Sequence, residues 1–320
     1  MFLEVFKALV YTAVFSLLLT PLDFGLARAI GAIDIPADGR RMHTRPIPRL
    51  GGISLFSSFV VFALVFCLGL SLSLAGVILG SCIIVALGVA DDSISLSAKK
   101  KLAIQSLAAM ISASAIVPLG HNSIAAFILA TLWILTLTNA HNFIDGLDGL
   151  CAGISLIESC AIGLLFLLIR SPLFAILAFI LGGACIGFLP YNDKKAKLFM
   201  GDTGSAFLGF IIGILSFEFV ITAKGFTALL SILFVLLFPL SDIIFAVVRR
   251  IYQGKSIFES DRSHIHHVLA DRTLGHRGAS VAIRVFALVL AVIGVVLFIA
   301  FSRSSSVLSW ADTVEALKHL

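Results

Sequence analysis

Asn139-Ala-His-Asn-Phe-Ile-Asp-Gly-Leu-Asp-Gly-Leu150 is the stretch on which the reading of this chain turns. It separates two apolar runs, 124–138 and 150–169, each close to the length that a bilayer crossing needs. Asn142, Asp145 and Asp148 recur every three residues, a spacing that would place all three on one face of a helix. Gly146 and Gly149 leave room beside them for a ligand. Carboxylates at the mouth of membrane spans are costly unless they bind something. A polar turn or helix cap would explain a lone Asp-Gly. Three oxygen donors in register favour a cation or phosphate–metal site.

The surrounding composition fixes the setting. Hydrophobic residues make up 59% of the 320, charged residues 13%, and the mean hydropathy is +1.10. Those values lie outside the range of soluble domains and predict an all-α polytopic membrane protein. About ten spans are expected, near 2–20, 50–70, 73–90, 102–118, 124–139, 150–169, 172–189, 204–222, 226–248 and 281–302. The first carries Glu4 and Lys7 and lacks a small-residue cleavage site, so it reads as a retained helix. The five cysteines, at 67, 82, 151, 160 and 185, fall in or beside spans without CxxC spacing, which suits apolar packing.

Lys and Arg set the orientation. Eighteen of the 23 lie in the segments 21–49, 91–101, 190–203 and 249–284, which are therefore expected on the cytoplasmic side with both termini outside. The net charge of +5 reflects this bias and contact with anionic lipid or substrate. No basic domain is present to bind nucleic acid.

Further polar clusters fall on the same side. Residues 33–52 are rich in proline and glycine and carry Arg40, Arg41, His43, Arg45 and Arg49, able to hold phosphates or simply to obey the positive-inside rule. Asp91 and Asp92 end the third span; adjacent carboxylates repel, so a bound cation or a raised pKa would reconcile them, as would a solvated cap. Asp202, between Gly201 and Gly204 at a helix start, suits metal or phosphate chemistry, with an N-cap as the competing reading. Asn192 and three lysines lie just upstream. Asp242 falls in the ninth span, and the longest loop follows with Arg249, Arg250, Asp261, Arg262, His264, His266 and His267. Three histidines without nearby cysteine, and not in HExxH spacing, favour an anionic sugar nucleotide over zinc. Glu158, inside the sixth span, has no assigned role.

Acids from several loops with a basic, His-rich rim argue for a divalent metal and a polyanionic substrate, hence phosphoryl transfer. Oxygen donors without thiolates point to Mg²⁺, with Mn²⁺ as a substitute. A cation-coupled transporter is the reading from a different class, although the acids gather at one face and not at the midplane.

HTRPIPRLGG (43–52), VADD (89–92), NAHNFIDGLDGL (139–150), MGDTGS (200–205) and SDRSHIHH (260–267) together resemble the polyprenyl-phosphate N-acetylhexosamine-1-phosphate transferases. The resemblance covers nearly the whole chain. It implies a single transmembrane domain over 1–320, with cytoplasmic loops near 21–49, 91–101, 140–149, 190–203 and 249–280. It implies Mg²⁺ dependence and movement of a sugar 1-phosphate from a UDP-sugar to undecaprenyl phosphate in the bacterial inner membrane, with UMP released. Carried over by position, Asp202 would be the principal metal ligand, with Asn142 or the Asp145/Asp148 pair nearby and Asp92 beside the metal. Asp91 would deprotonate or position the lipid phosphate. Asp148 and Asn192 resemble nucleotide-pocket positions. Arg45, Arg250, His264, His266 and His267 would grip the sugar and diphosphate. HIHH after Asp261-Arg262 resembles the N-acetylglucosamine branch more than the MurNAc-pentapeptide branch. A homodimer is compatible with this pattern.

Overall fold

In a bilayer the backbone must satisfy its own polar groups, and this chain does so with helices. The computed structural model describes residues 2–36, 45–67, 71–117, 123–256 and 264–302, the side chains of 272 and 273 excepted. Arg40, Arg41, His43, Asp261 and Arg262 lie outside the described residues. The elements run α1 (Phe2–Ile30), β1 (Ile33–Asp34), β2 (Ile47–Pro48), α2 (Gly52–Phe66), α3 (Leu72–Ile94) and α4 (Ala98–Ile116). Next come α5 (Ser123–Ile144), α6 (Leu150–Leu168), α7 (Pro172–Asn192), α8 (Gly201–Ala223), α9 (Phe226–Val235) and α10 (Leu237–Tyr252). The short α11 (Ile265–Leu269) leads through a π-helical turn, Ala270–Leu274, into α12 (Gly275–Ser302).

Nine of the ten expected spans each fall on one helix and that near 226–248 on two, so the count of ten is approximate. Among the described residues seven helices are long and apolar enough to cross a membrane, or eight if α9 and α10 form one span bent by 75°. Pro239, in the first turn of α10, cannot donate a backbone hydrogen bond to the end of α9, which accounts for the break. α2 is only 15 residues long, and α4 opens on Lys99, Lys100 and Lys101, so neither reads as a full span by length and composition.

α8 is the axis of the bundle, packed against α2, α3, α5 and α6 and buried along most of its length. α1 lies against α7, where Gly183 and Gly187 let the two backbones approach. Ser16 donates to the Ala184 carbonyl across this seam at 2.9 Å. Asp23 on α1 is buried and accepts the Ser54 backbone N–H at 3.1 Å, capping α2 from outside. Leu18, Leu72, Ile124 and Phe226 are among the large apolar side chains left on the outer surface, as a lipid-facing perimeter requires.

The strands are small but place a loop. β1 pairs antiparallel with β2, Ile33 opposite Pro48 and Asp34 opposite Ile47. Arg49 then bridges in parallel to Phe199, and Gly52 N–H donates to the Met200 carbonyl at 3.1 Å. The basic segment before α2 is thereby laid along the entry to α8.

Candidate active site

α8 begins at the centre of the site. Its first N–H groups have no partner within the helix, and Asp92 at the end of α3 supplies one. Asp92 Oδ1 accepts Asp202 N–H at 3.1 Å, while Oδ2 accepts Thr203 N–H at 3.1 Å and the Thr203 hydroxyl at 2.7 Å. Gly201 has φ +69°, and a Cβ there would overlap the Asp92 carboxylate, so the turn needs glycine. Arg49 holds the other side, donating from Nη2 to the Asp92 carbonyl at 3.0 Å. Asp202 is thus aimed by a cap and is not itself one.

Lys101, in the first turn of α4, forms ion pairs with Asp91 (3.0 Å) and with Asp202. One ammonium therefore gathers two of the expected catalytic acids. In sequence Lys101 is one of three consecutive lysines in a cytoplasm-type loop; its signal is its place nine and ten residues after two carboxylates. Asp91 also accepts Leu96 N–H at 2.6 Å.

The NxxDGxD spacing does not form one helical face. α5 ends at Ile144, so Asn142 lies in its last turn while Asp145 and Asp148 lie in the turn before α6. Gly149, at φ +67°, ends that turn in a left-handed conformation that a continuing helix would not allow. The three side chains still line the same cleft. Asn142 donates to Ser205 of α8 at 3.0 Å. The Asp145 carboxyl is pushed up to about 8, first by burial and then by repulsion from Asp202, Asp92 and Asp148. Asp148 and Asn192 fix the neighbouring loop: Asp148 accepts Ala196 N–H at 2.9 Å, and Asn192 accepts Gly149 N–H at 3.1 Å while donating to the Leu198 carbonyl at 3.0 Å.

The histidine loop is anchored by Asp242, to which the sequence alone assigns no role. Its carboxylate bonds His264 Nδ1 at 2.8 Å and Ile265 N–H at 3.0 Å, capping α11. His264 stacks on His266, with ring centroids 5.6 Å apart, and tilts against Phe143. The Arg250 guanidinium lies over the other ring partner, Phe143, at 5.2 Å. His266 is fully buried, and among the described residues neither ring nitrogen has a hydrogen-bond partner. Burial, then the neighbouring His267, hold its pKa down to about 3, so the ring is neutral.

These elements enclose a cleft of about 940 Å³. Arg45, Asp92, Asn142, Asp145, Asp148, Asn192 and Asp202 line it, joined by Lys195, Lys197, Phe199 and His276, which sequence reading did not single out as ligands. His276 arrives on the first turn of α12, and Ser280 of the same helix donates to the Asp148 carbonyl at 3.0 Å. Asp91, Arg250, His264, His266 and His267 do not line the cleft: Asp91 reaches its acids through Lys101, and the aromatic cluster sits behind Gly146.

Among the described residues no three His, Cys, Asp or Glu side chains form a closed metal-ligand set. The acids and amides that line the cleft, Asp92, Asn142, Asp145, Asp148, Asn192 and Asp202, offer oxygen donors. A hard cation that takes one or two carboxylates and completes its shell with water and substrate phosphate suits this cleft. The convergence of Asp91 and Asp202 on one lysine ammonium shows that this corner already accommodates positive charge.

Fold and site together define a multi-pass membrane protein with an acidic, basic-rimmed cleft at one end of its helix bundle. Known proteins place it more closely. The description "Glycosyl transferase family 4" matches residues 74–220. A probable undecaprenyl-phosphate N-acetylglucosaminyl 1-phosphate transferase of Bacillus subtilis (strain 168) is 35% identical over 292 residues, covering 88% of this chain and 81% of the relative. The undecaprenyl-phosphate alpha-N-acetylglucosaminyl 1-phosphate transferase of Thermotoga maritima is 32% identical over 269 residues, covering 81% and 80%. Its counterpart in Escherichia coli (strain K12) is 29% identical over 298 residues, covering 84% and 77%. The chain belongs to this family of polyprenyl-phosphate N-acetylhexosamine-1-phosphate transferases. The transporter reading finds no support among these relatives.

Proposed function

We propose that this chain transfers N-acetylglucosamine 1-phosphate from UDP-N-acetylglucosamine to undecaprenyl phosphate and releases UMP, as a single transferase domain of a bacterial inner membrane with its cleft on the cytoplasmic side. The observation that carries the reading is the junction of Asp202, Asp92, Asp91 and Lys101, where three helices bring acids and one cation to the mouth of a membrane bundle. The names of the relatives supply the donor sugar and the lipid class.

Asp202, Asn142 and Asp145 would hold Mg²⁺, and Asp92 keeps Asp202 in register through the backbone N–H groups of α8. A bound Mg²⁺ supplies charge neutralisation of the diphosphate and of the departing phosphate. Arg45, Lys195 and Lys197 on the rim meet the anionic substrates. Lys101 shields Asp202 and Asp91 from one another, and its ammonium can turn toward incoming phosphate. A lipid phosphate oxygen attacks the β-phosphorus in line, the bond from that phosphorus to the UMP oxygen breaks, and a lipid diphosphate sugar is formed. The attacking phosphate is already largely ionised at neutral pH, so the work of Asp91 is to position it through Lys101. Phe199 offers a ring on which the nucleobase can stack, while Arg250 and the histidines support the loop behind Gly146.

Purified protein in detergent, given undecaprenyl phosphate, Mg²⁺ and UDP-N-acetylglucosamine beside UDP-MurNAc-pentapeptide and other UDP-sugars, tests the reading. UMP release that needs lipid and metal and prefers UDP-N-acetylglucosamine is expected. Release with another UDP-sugar alone would move the branch, and release with none would overturn the assignment.

A further inference from the structure

The site as described leaves one buried pair unused. His141 Nε2 lies 2.8 Å from Glu158 Oε2, and both side chains are closed off from solvent. The other ring nitrogen, Nδ1, is 3.0 Å from the Leu137 carbonyl. A carbonyl only accepts, so Nδ1 carries a hydrogen and donates it. Nε2 then either accepts a proton held by Glu158 or donates to the carboxylate as an imidazolium. In both arrangements one proton lies between the two groups, and the pair as a unit is neutral. That is how an acid is tolerated inside α6.

The position of the pair gives it a task. His141 directly precedes Asn142 at the end of α5, and Glu158 lies about two turns into α6. Between them the chain makes the turn that carries Asp145 and Asp148. The Cys151 thiol donates to the His141 carbonyl at 3.5 Å, a second tie across the same junction. Gly209 of α8 is packed against the His141 Cβ, so the helix that bears Asp202 is seated on this residue too. Three carriers of the acidic cleft meet at His141.

We propose that His141 and Glu158 are positioning residues: their hydrogen bond fixes α5 against α6 and so sets Asn142 and Asp145 relative to Asp202. This rests on the proposed phosphoryl-transfer reading of the cleft. A pair that merely filled space would affect stability alone. A pair that sets the ligands affects kcat and metal affinity in protein that is fully folded.

Two variants separate these. In Glu158→Gln the side-chain amide can still donate to Nε2, so the positioning bond survives. In the double variant His141→Phe/Glu158→Leu apolar groups replace both partners and leave no orphaned polar atom, which lets the bundle fold. Monodisperse protein of each, checked by thermal unfolding, is assayed for kcat and KM and for Mn²⁺ affinity by electron paramagnetic resonance without substrates. Glu158→Gln is expected to match wild type. The double variant is expected to lose between about tenfold and a hundredfold in kcat, the scale of a small misplacement of reacting groups, with weaker Mn²⁺ binding and a nearly unchanged KM for the nucleotide sugar. A folded double variant with wild-type kcat and Mn²⁺ affinity overturns the proposal, as does Glu158→Gln as impaired as the double. Wild-type protein that releases no UMP would strike the activity reading; the Mn²⁺ measurements still judge the pair.

Discussion

The His266 ring fills the space that any side chain at Gly146 would occupy. The glycine of the acidic turn and the buried histidine of the last loop are therefore complementary surfaces, though 120 residues separate them in sequence. Gly146→Ala is expected to push the loop away from the cleft. Overpacking of this kind costs roughly 1–3 kcal/mol, and the expected result is a KM for UDP-N-acetylglucosamine raised by about tenfold or more. Steady-state kinetics on folded protein checks it; an unchanged KM would mean that the loop does not shape the nucleotide-sugar site.

Lys101 is the cation shared by Asp91 and Asp202. Removing its charge in Lys101→Met leaves two carboxylates facing each other and takes a preorganised ammonium from the phosphate path. A loss in kcat on the order of 10² to 10³ is expected, with Lys101→Arg retaining more activity. Turnover of both variants under saturating substrates measures this.

Asp202→Asn keeps the size of the side chain and the Asp92 cap, which binds backbone N–H groups. It removes the charge that would hold the metal. UMP release is expected to fall by about 10³ or more and to lose its response to added Mg²⁺, while thermal unfolding changes little. A variant that still responds to Mg²⁺ as wild type does would remove Asp202 from the ligand set.

The Asp145 carboxyl has an ordinary value of 3.8 and is pushed up to about 8 in the fold. Its protonated form is thus favoured by folding. The benefit is complete below the ordinary value and is lost as pH rises through about 8. Metal-free Asp145→Asn protein is accordingly expected to unfold at a higher temperature than wild type at pH 8, with the difference shrinking toward pH 5. Thermal unfolding in detergent with chelator, across that pH range, checks the sign. The same variant is expected to be inactive, because this carboxyl is one that faces the cleft.

Much of this was legible in the chain because a membrane leaves few options. Long apolar runs had to be helices, and the skew of Lys and Arg marked the side on which the acidic loops would meet. Asp202, Asp145 and Asn142 stood out because charged or amide groups at span ends are expensive without a task. What the sequence hid were the pairings. That Asp92 caps α8 depends on how α3 and α8 pack, and that Asp242 holds His264 depends on the bend between α9 and α10. The expected helical face of Asn142, Asp145 and Asp148 fails because α5 ends at Ile144 and the chain turns before α6, which a three-residue spacing does not reveal. Lys101 and His276 carry no motif of their own; only the fold sets the Lys101 ammonium between Asp91 and Asp202 and brings His276 to the cleft. Glu158 was conspicuous from the start, but its partner His141 could be recognised only once α5 and α6 were laid side by side.

What this enzyme is proposed to move is a sugar phosphate, not a sugar. UDP-N-acetylglucosamine labelled with ³²P at the β-phosphate, incubated with the purified protein, undecaprenyl phosphate and Mg²⁺, follows the atom at issue. The label is expected to pass into the organic-extractable lipid while unlabelled UMP appears in equal amount. Label that stays with the nucleotide as UDP, while sugar alone reaches the lipid, would contradict it.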